Sequence, residues 1–326
     1  MKKKKILSLG ATLMSALLFA SCISPSKKVS FSENWYLDTT YSIKENVNET
    51  LTYSVSFEAG SSADTEYRAL RYNAGVYTTT LVSEQMDNGT LVYRYTTNLQ
   101  ISGEHECKTT GEIQNFNDSV TSEVVFTSAI QGLKPITSVK TISSHTPTTV
   151  VQPASIKDCY IKYDYTVETT YDQDLNGTSV QTVYEEGQEP RVTTKNFKAK
   201  NDDYTTLDNE QLLFALRGMS SYSAQYFNVY NNAWKSSQLV LLSVGAESSE
   251  EFSFEMNGEN KKATISYIPV SLNIQEQNKG ADKTIWIAKT SDRTNNIYRN
   301  VILSFSLPIN NAFGTFEYKL TKANFI

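Results

Sequence analysis

From Leu51 the chain alternates. Leu51, Tyr53, Val55 and Phe57 are apolar or aromatic, and Thr52, Ser54 and Ser56 between them are polar. A period of two predicts a half-buried β-strand, because successive side chains on a strand point to opposite faces. Val301, Leu303, Phe305 and Leu307 repeat the pattern, as do Phe316, Tyr318 and Leu320. Between such runs fall three Asn-Gly pairs, Asn88-Gly89, Asn176-Gly177 and Asn257-Gly258. Both residue types tolerate the positive φ of tight hairpin turns, so the pairs predict antiparallel neighbours. Twenty tyrosines and abundant threonine suit pleated surfaces. The recurrent helices that a parallel α/β fold requires are missing, and the expected class is mainly β.

One helix breaks the alternation, over residues 209–218. Leu212, Leu213, Leu216 and Met219 recur at helical spacing behind Asp208, a suitable N-cap, with Gln211 placed to return the hydrogen bond. Leu207 is positioned to staple onto Leu212, and Gly218 to end the helix. The Leu212–Leu216–Met219 stripe is expected to pack on the sheet.

The N-terminus follows a different logic. Met1 precedes four lysines, a mostly apolar run from Ile6 to Phe19, and then Ala20, Ser21 and Cys22. These are the parts of an export signal, and the run is short of the roughly 20 apolar residues of a membrane span. The small pair before Cys22 resembles a bacterial lipobox, although Phe19 stands where leucine is common. That resemblance implies residues 1–21 as signal peptide, Cys22 as the acylated (palmitoylated) mature N-terminus, and a cell-envelope address facing outside the cytoplasm. Ile23 to Lys28 is polar, so 22–34 is expected to be anchor and tether, with 35–326 as the β-rich domain. A Ser/Thr/Pro-rich stretch, Ser143 to Ser155, marks a possible internal division or a loop within one sheet.

Without the four lysines of the signal, the formal charge moves from −5 to −9. Nucleic acid is a poor partner for such a chain, because phosphate contacts demand clustered Lys and Arg. The acyl chains, not the charge, would hold it to a membrane. Cys107 and Cys159 are the cysteines left beyond Cys22. Export permits a disulfide between them, but sequence leaves a bridge and two free thiols both open. Cys159 shares its alternation phase with Ile161, Tyr163, Tyr165 and Val167, which predicts a buried strand face.

Candidate chemistry is sparse. Asp172-Gln173-Asp174-Leu175-Asn176-Gly177 reproduces the first half of a calcium loop, with oxygen ligands at alternate positions and glycine at the turn. The closing acid is missing, since the twelfth position is Val183. Asp172, Asp174 and Asn176 are therefore a weak calcium candidate, and an acidic hairpin tip is the expected state. His105 and Cys107 share one strand face but lack a second ligand cluster, and no cofactor is expected. His145 is expected in a solvated loop. No G-x-S-x-G, H-E-x-x-H or phosphate-cradling glycine loop occurs, and the histidines number two. Trp35, Trp234 and Trp286 suit either the core edge or a stacking platform.

The segment Asp208 to Arg217 resembles the Asp-x-x-x-Leu-x-x-x-Leu-Arg helix of an uncharacterised family of exported, β-rich bacterial proteins. Gly132-Leu133-Lys134-Pro135-Ile136 resembles its Leu-x-Pro element. Trp286 and Phe313 to Leu320 resemble its closing strands. The resemblance spans about Leu51 to Leu320 and implies a long, curved antiparallel sheet, or open half-barrel, with one helix against it, similar in outline to lipoprotein carriers. It implies no catalytic residues. The expected function is a non-catalytic, membrane-anchored binding module whose groove between sheet and helix takes an apolar or amphiphilic ligand. A surface adhesion or scaffold module binding glycan or protein is the alternative, and a cryptic hydrolase the third reading.

Overall fold

The structure, a computed structural model, describes residues 28–32, 48–148, 150–199, 203–232, 235–274, 283–289, 297–310 and 313–325. Cys22, Trp35 and Trp234 lie outside the described residues, as do the signal peptide and most of the expected tether.

Long antiparallel strands dominate. β1 (Asn48–Ala59), β2 (Arg68–Gln85), β3 (Leu91–Cys107), β4 (Glu112–Thr127) and β5 (Pro135–Pro147) run as successive hairpins. They continue into β6 (Tyr160–Tyr171), β7 (Gly177–Val183) and β8 (Arg191–Phe197), which ends the sheet on that side. β9 (Thr205–Asp208) leads through a 3-10 turn, Asn209–Gln211, into α1 (Leu212–Arg217). The chain then forms β10 (Gln225–Asn231), β11 (Ser236–Val244), β12 (Ser248–Met256), β13 (Glu259–Ile274), β14 (Lys283–Ala288), β15 (Ile302–Asn310) and β16 (Gly314–Phe325).

The alternation is realised where it was read. Leu51, Tyr53 and Val55 are buried, as are Leu303, Phe305, Tyr318 and Leu320. Asn257 and Gly258 both take positive φ, 50° and 85°, and turn β12 into β13 as a two-residue hairpin should. Between β6 and β7 the positive φ falls instead on Leu175, while Gly177 is already in the strand.

A corner decides the architecture. β11 and β12 both pair β13, Val244 with Val270 and Ser248 with Tyr267, so they act as one long strand bent near Gly245. Beyond the bend β12 also pairs β16 in parallel, at Glu255–Lys322 and Met256–Ala323, and closes β12 to β16 into a five-strand barrel. On the other side of the bend β11 instead pairs β10, and β10 pairs β9. From β16 the sheet runs out through β1 to β8. Its far part comes back against β9 and β10 through side chains: Ser138 meets Asp208, Thr169 meets Asn232, and Phe197 stacks on Tyr230 at 3.7 Å. Curvature is eased by glycine under aromatic rings. Gly103 lies opposite Phe116 and Gly177 opposite Phe197, and a Cβ on either would sit within 2.6 Å of the ring.

The helix is enclosed, not laid on a face. Leu212, Leu216 and Met219 are buried as the stripe predicts, but so are Phe214, Ala215 and Arg217. Asp208 caps the first turn by accepting from Glu210 N–H at 2.8 Å. Gln211 does not close a capping box; its Nε2 donates to the Leu133 carbonyl at 2.7 Å, because burial makes a main-chain partner across the core available. Part of the expected tether is docked as well: Val29 N–H donates to Thr205 Oγ1, and Ser32 N–H to Gly218 O. Residues 143–155 belong to the end of β5 and its connection to β6, and the two strands pair on either side of it. Cys159 precedes β6, and Ile161 and Tyr163 are exposed, so the buried phase expected there begins only at Val167.

Candidate functional site

The groove expected between helix and sheet is filled where the helix touches the sheet. Phe214 packs on Tyr93, Tyr95 and Phe126 with ring centroids 5.0 to 6.2 Å apart. Arg217 clasps Glu49 with two hydrogen bonds, 2.5 and 2.9 Å. Asp208 is wholly buried. Its carboxylate accepts from the Ser138 hydroxyl at 2.6 Å, the Tyr171 hydroxyl, and the Asn232 amide at 3.4 Å. Burial and the neighbouring Glu210 charge push its pKa up to about 6, against the pull of those donors.

Next to this plug lies a cluster of partly buried charged side chains. Lys140 on β5 pairs with Glu210 at 2.8 Å, with 15 % and 8 % of the two side chains exposed. Desolvation works against both charges, yet the pairing wins: it holds Glu210 below and Lys140 above their ordinary values. Lys283 on β14 faces the same pair from across the roll. Burial first, and then the Lys140 charge, hold its pKa below the usual lysine value. Among the described residues Lys283 has no carboxylate within ion-pair distance, although it feels Glu210. Tyr77 and Tyr165 border the cluster, with Tyr77 among Tyr53, Phe305 and Tyr318 at 5.3 to 5.9 Å. Burial raises the pKa of Tyr77 and Tyr165 and lowers that of Lys283, yet these three and Lys140 each keep some exposed surface. The cluster thus sets aromatic side chains beside three charged ones, each with some exposed surface.

A second polar group lies at the far ends of β3 to β5. His145 is in β5, not a loop, and its Nδ1 lies 2.7 Å from Asp118 Oδ1. The length of β5, longer than its Ser/Thr composition suggested, carries it there. His105 stacks on Tyr160 at 4.7 Å, is 2 % exposed, and among the described residues leaves Nε2 without a partner. Burial, then His145, lower its pKa to about 4. Among the described residues no three His, Cys, Asp or Glu side chains converge as metal ligands.

Asp172, Asp174 and Asn176 form the tip of the β6–β7 hairpin, beside an open groove of about 580 Å³. Asp172 Oδ1 accepts from the backbone N–H of Asp174 and of Asn176, both at 2.9 Å, so its carboxylate is engaged in its own turn. Trp286 stacks on Tyr267 at 4.7 Å, half-buried. Sequence reasoning missed Lys140, Glu210 and Lys283. Glu210 was legible as the second residue of the helical run, but nothing in linear order links it to lysines 70 residues before and 73 after.

No protein-family model matches the chain, so the likeness to an exported β-rich family supports no assignment, and no curated protein matches it. Among solved structures it is similar to the crystal structure of a β-barrel-like protein of a domain of unknown function, DUF1849, from Brucella abortus. The match has 10 % identity and a TM-score of 0.46, over 86 % of this chain and 98 % of that one.

Proposed function

We propose that this protein is a lipid-anchored module of the cell envelope that binds an amphiphilic ligand inside its rolled sheet and performs no catalysis. The observation that carries the reading is the partly exposed cluster of Lys140, Glu210 and Lys283 beside Tyr77 and Tyr165. Small-molecule sites are typically apolar hollows with a few convergent polar groups that fix orientation. Tyr77, Tyr165 and their neighbours suit an apolar chain, and the lysines suit its polar end. The address rests on the lysine-rich start, the apolar run and Cys22. Native mass spectrometry after gentle purification, with titration of a fluorescent fatty-acid probe, tests the binding. Saturable uptake supports the reading; a clean apo mass with no probe uptake sinks it. In parallel, Cys22→Ala should move the protein out of the membrane fraction, and continued fractionation with membranes would refute the anchor.

One observation favours an adhesion module as the second reading. β8 ends the sheet, and all its residues except Phe197 are exposed, with Val192 at 61 %. Tyr184, just past its neighbour β7, and Tyr163, one strand further in on β6, are exposed. An open edge flanked by aromatic side chains suits strand addition by a protein partner.

A further inference from the structure

The connection between β5 and β6 is a strap held down at both ends. Arg68, 7 % exposed, donates from its guanidinium to the Thr148 hydroxyl at 2.7 Å and to the carbonyls of Thr148 and Val150. Thr148 N–H donates to the Cys159 carbonyl at 3.0 Å. Ile156 N–H donates to the Glu112 carboxylate at 2.9 Å, and Tyr160 OH to Gln114 at 2.9 Å. These bonds fold the strap over the ends of β2, β3 and β4. Cys107 is the last residue of β3, and Cys159 immediately precedes β6. Two strands separate β3 from β6 in the sheet, so no ladder brings these residues together. The strap does. Cys107 pairs with Arg68 across the ladder, and Arg68 holds Thr148, which in turn bonds Cys159, so the two sulfurs are brought into each other's neighbourhood as free thiols, both 0 % exposed.

We propose that Cys107 and Cys159 form a disulfide in the exported protein, locking the strap onto the ends of β2 to β4. Besides Cys22 the chain has no other cysteine, so one pairing is available. The proposal rests on the export address proposed above, which would provide an oxidising compartment where such a bond persists. The oxidant is a thiol–disulfide exchange protein. The Cys107 thiolate attacks one carrier sulfur, the carrier disulfide breaks, and a mixed disulfide forms. Cys159 then gives up its proton and attacks the Cys107 sulfur, releasing the second carrier thiolate. Two thiols lose two electrons and two protons, and the carrier disulfide becomes a dithiol. Because the folded strap excludes solvent from both sulfurs, the exchange precedes strap closure.

The test uses the full chain, exported and purified without reductant, denatured and alkylated before and after reduction, with peptide mapping that reads Cys22 separately. The expected result is no alkylation of Cys107 or Cys159 before reduction, full alkylation after it, and a linked peptide in the unreduced digest. Full alkylation of both before reduction overturns the proposal. The locking role is read from the thermal midpoint of the same protein, oxidised and reduced. A fall of several degrees on reduction is expected, and equal midpoints would overturn the lock even if the bond exists. Wild-type protein suffices for both readouts, so a folding defect in a cysteine variant cannot obscure them.

Discussion

Arg217 and Glu49 form a bidentate ion pair, each side chain 2 % exposed, that ties the last turn of α1 to the first residues of β1. The guanidinium also donates to the carbonyls of Asn300 at 3.2 Å and Arg299 at 3.0 Å, so its donors are turned toward acceptors with no water needed. Burial disfavours both charges, and their mutual geometry, helped by the two carbonyls, compensates. Glu49→Leu should therefore cost about 3–5 kcal/mol by stranding Arg217. Arg217→Met with Glu49→Leu should recover most of that loss, as buried pairs often tolerate joint apolar replacement. Urea denaturation of the three proteins measures it, and a double variant as weak as Glu49→Leu would show that the pair supplies more than charge balance.

Asp208 predicts a steeper loss than a surface cap. A typical N-cap removal costs about 1 kcal/mol. Here Asp208→Ala also leaves Ser138, Tyr171 and Asn232 facing a vacated buried site, so the cost should exceed 3 kcal/mol or so, with each unsatisfied group adding about 1–3. Leu216→Ala, in a wholly buried position, should cost about 2–5 kcal/mol. A loss of about 1 kcal/mol for Asp208→Ala would mean that the network relaxes around the gap.

Asp208 also shows what linear sequence conveys. Its capping role was legible, because a cap is decided by residues within one turn. Its burial was not, because Ser138 reaches it from β5 and Asn232 from the turn after β10, elements that pattern alone cannot place beside it. The same division runs through the fold. Alternation revealed Leu51–Phe57 and Val301–Leu307 as strands, since period two is a local property. The bend near Gly245 and the parallel closure of β12 on β16 carry no local mark. His145 was misplaced because Ser, Thr and Pro around it suit loops as readily as an edge-like strand. Lys140 and Lys283 carry no mark in the sequence, for their depth depends on the rolling of the sheet.

Two buried groups set opposing pH dependences. Unfolded His105 takes up its proton near pH 6.5, but the folded form only near 4. Between these values the unfolded state binds more protons, so stability falls as pH falls, by about 3 kcal/mol at most. Asp208 runs the other way. Its folded pKa of about 6 lies above the unfolded 3.8, so acidification from 6 to 4 stabilises the fold. The two should largely cancel between pH 4 and 6. His105→Phe, which preserves stacking on Tyr160, should remove the acid penalty, and its stability relative to wild type should grow as pH drops from 6.5 to 4. Urea midpoints across that range check it; parallel curves for the two proteins would rule out His105 as the sensor.

Calcium should leave the protein unchanged. Asp172 spends its carboxylate on two backbone N–H groups of its own turn, and the position that would close a calcium loop is Val183, within β7. Thermal midpoints in chelator and in millimolar calcium should agree, and Asp172→Ala should cost about 1 kcal/mol through the lost turn bonds. A rise of several degrees with calcium that vanishes in Asp172→Ala would make the hairpin tip a genuine ion site.

Lys283 predicts the chemistry of whatever enters the rolled sheet. A buried ammonium is costly unless paired, and Glu210, the carboxylate it feels, is already engaged by Lys140. An anionic head group entering this space would supply the missing counter-charge and relieve the repulsion between Lys140 and Lys283. A long-chain fatty acid should therefore bind more tightly than its methyl ester, about tenfold for each 1.4 kcal/mol gained. Lys283→Met keeps the volume and apolar stem but removes the charge. It should abolish that preference while leaving ester binding within about twofold, because only the charge term changes. Competition of both ligands against one fluorescent probe gives the ratio for each protein. Binding without preference in wild type would assign the interior to neutral amphiphiles and make Lys283 a solvated bystander. A preference that survives in Lys283→Met would move the head-group contact to Lys140.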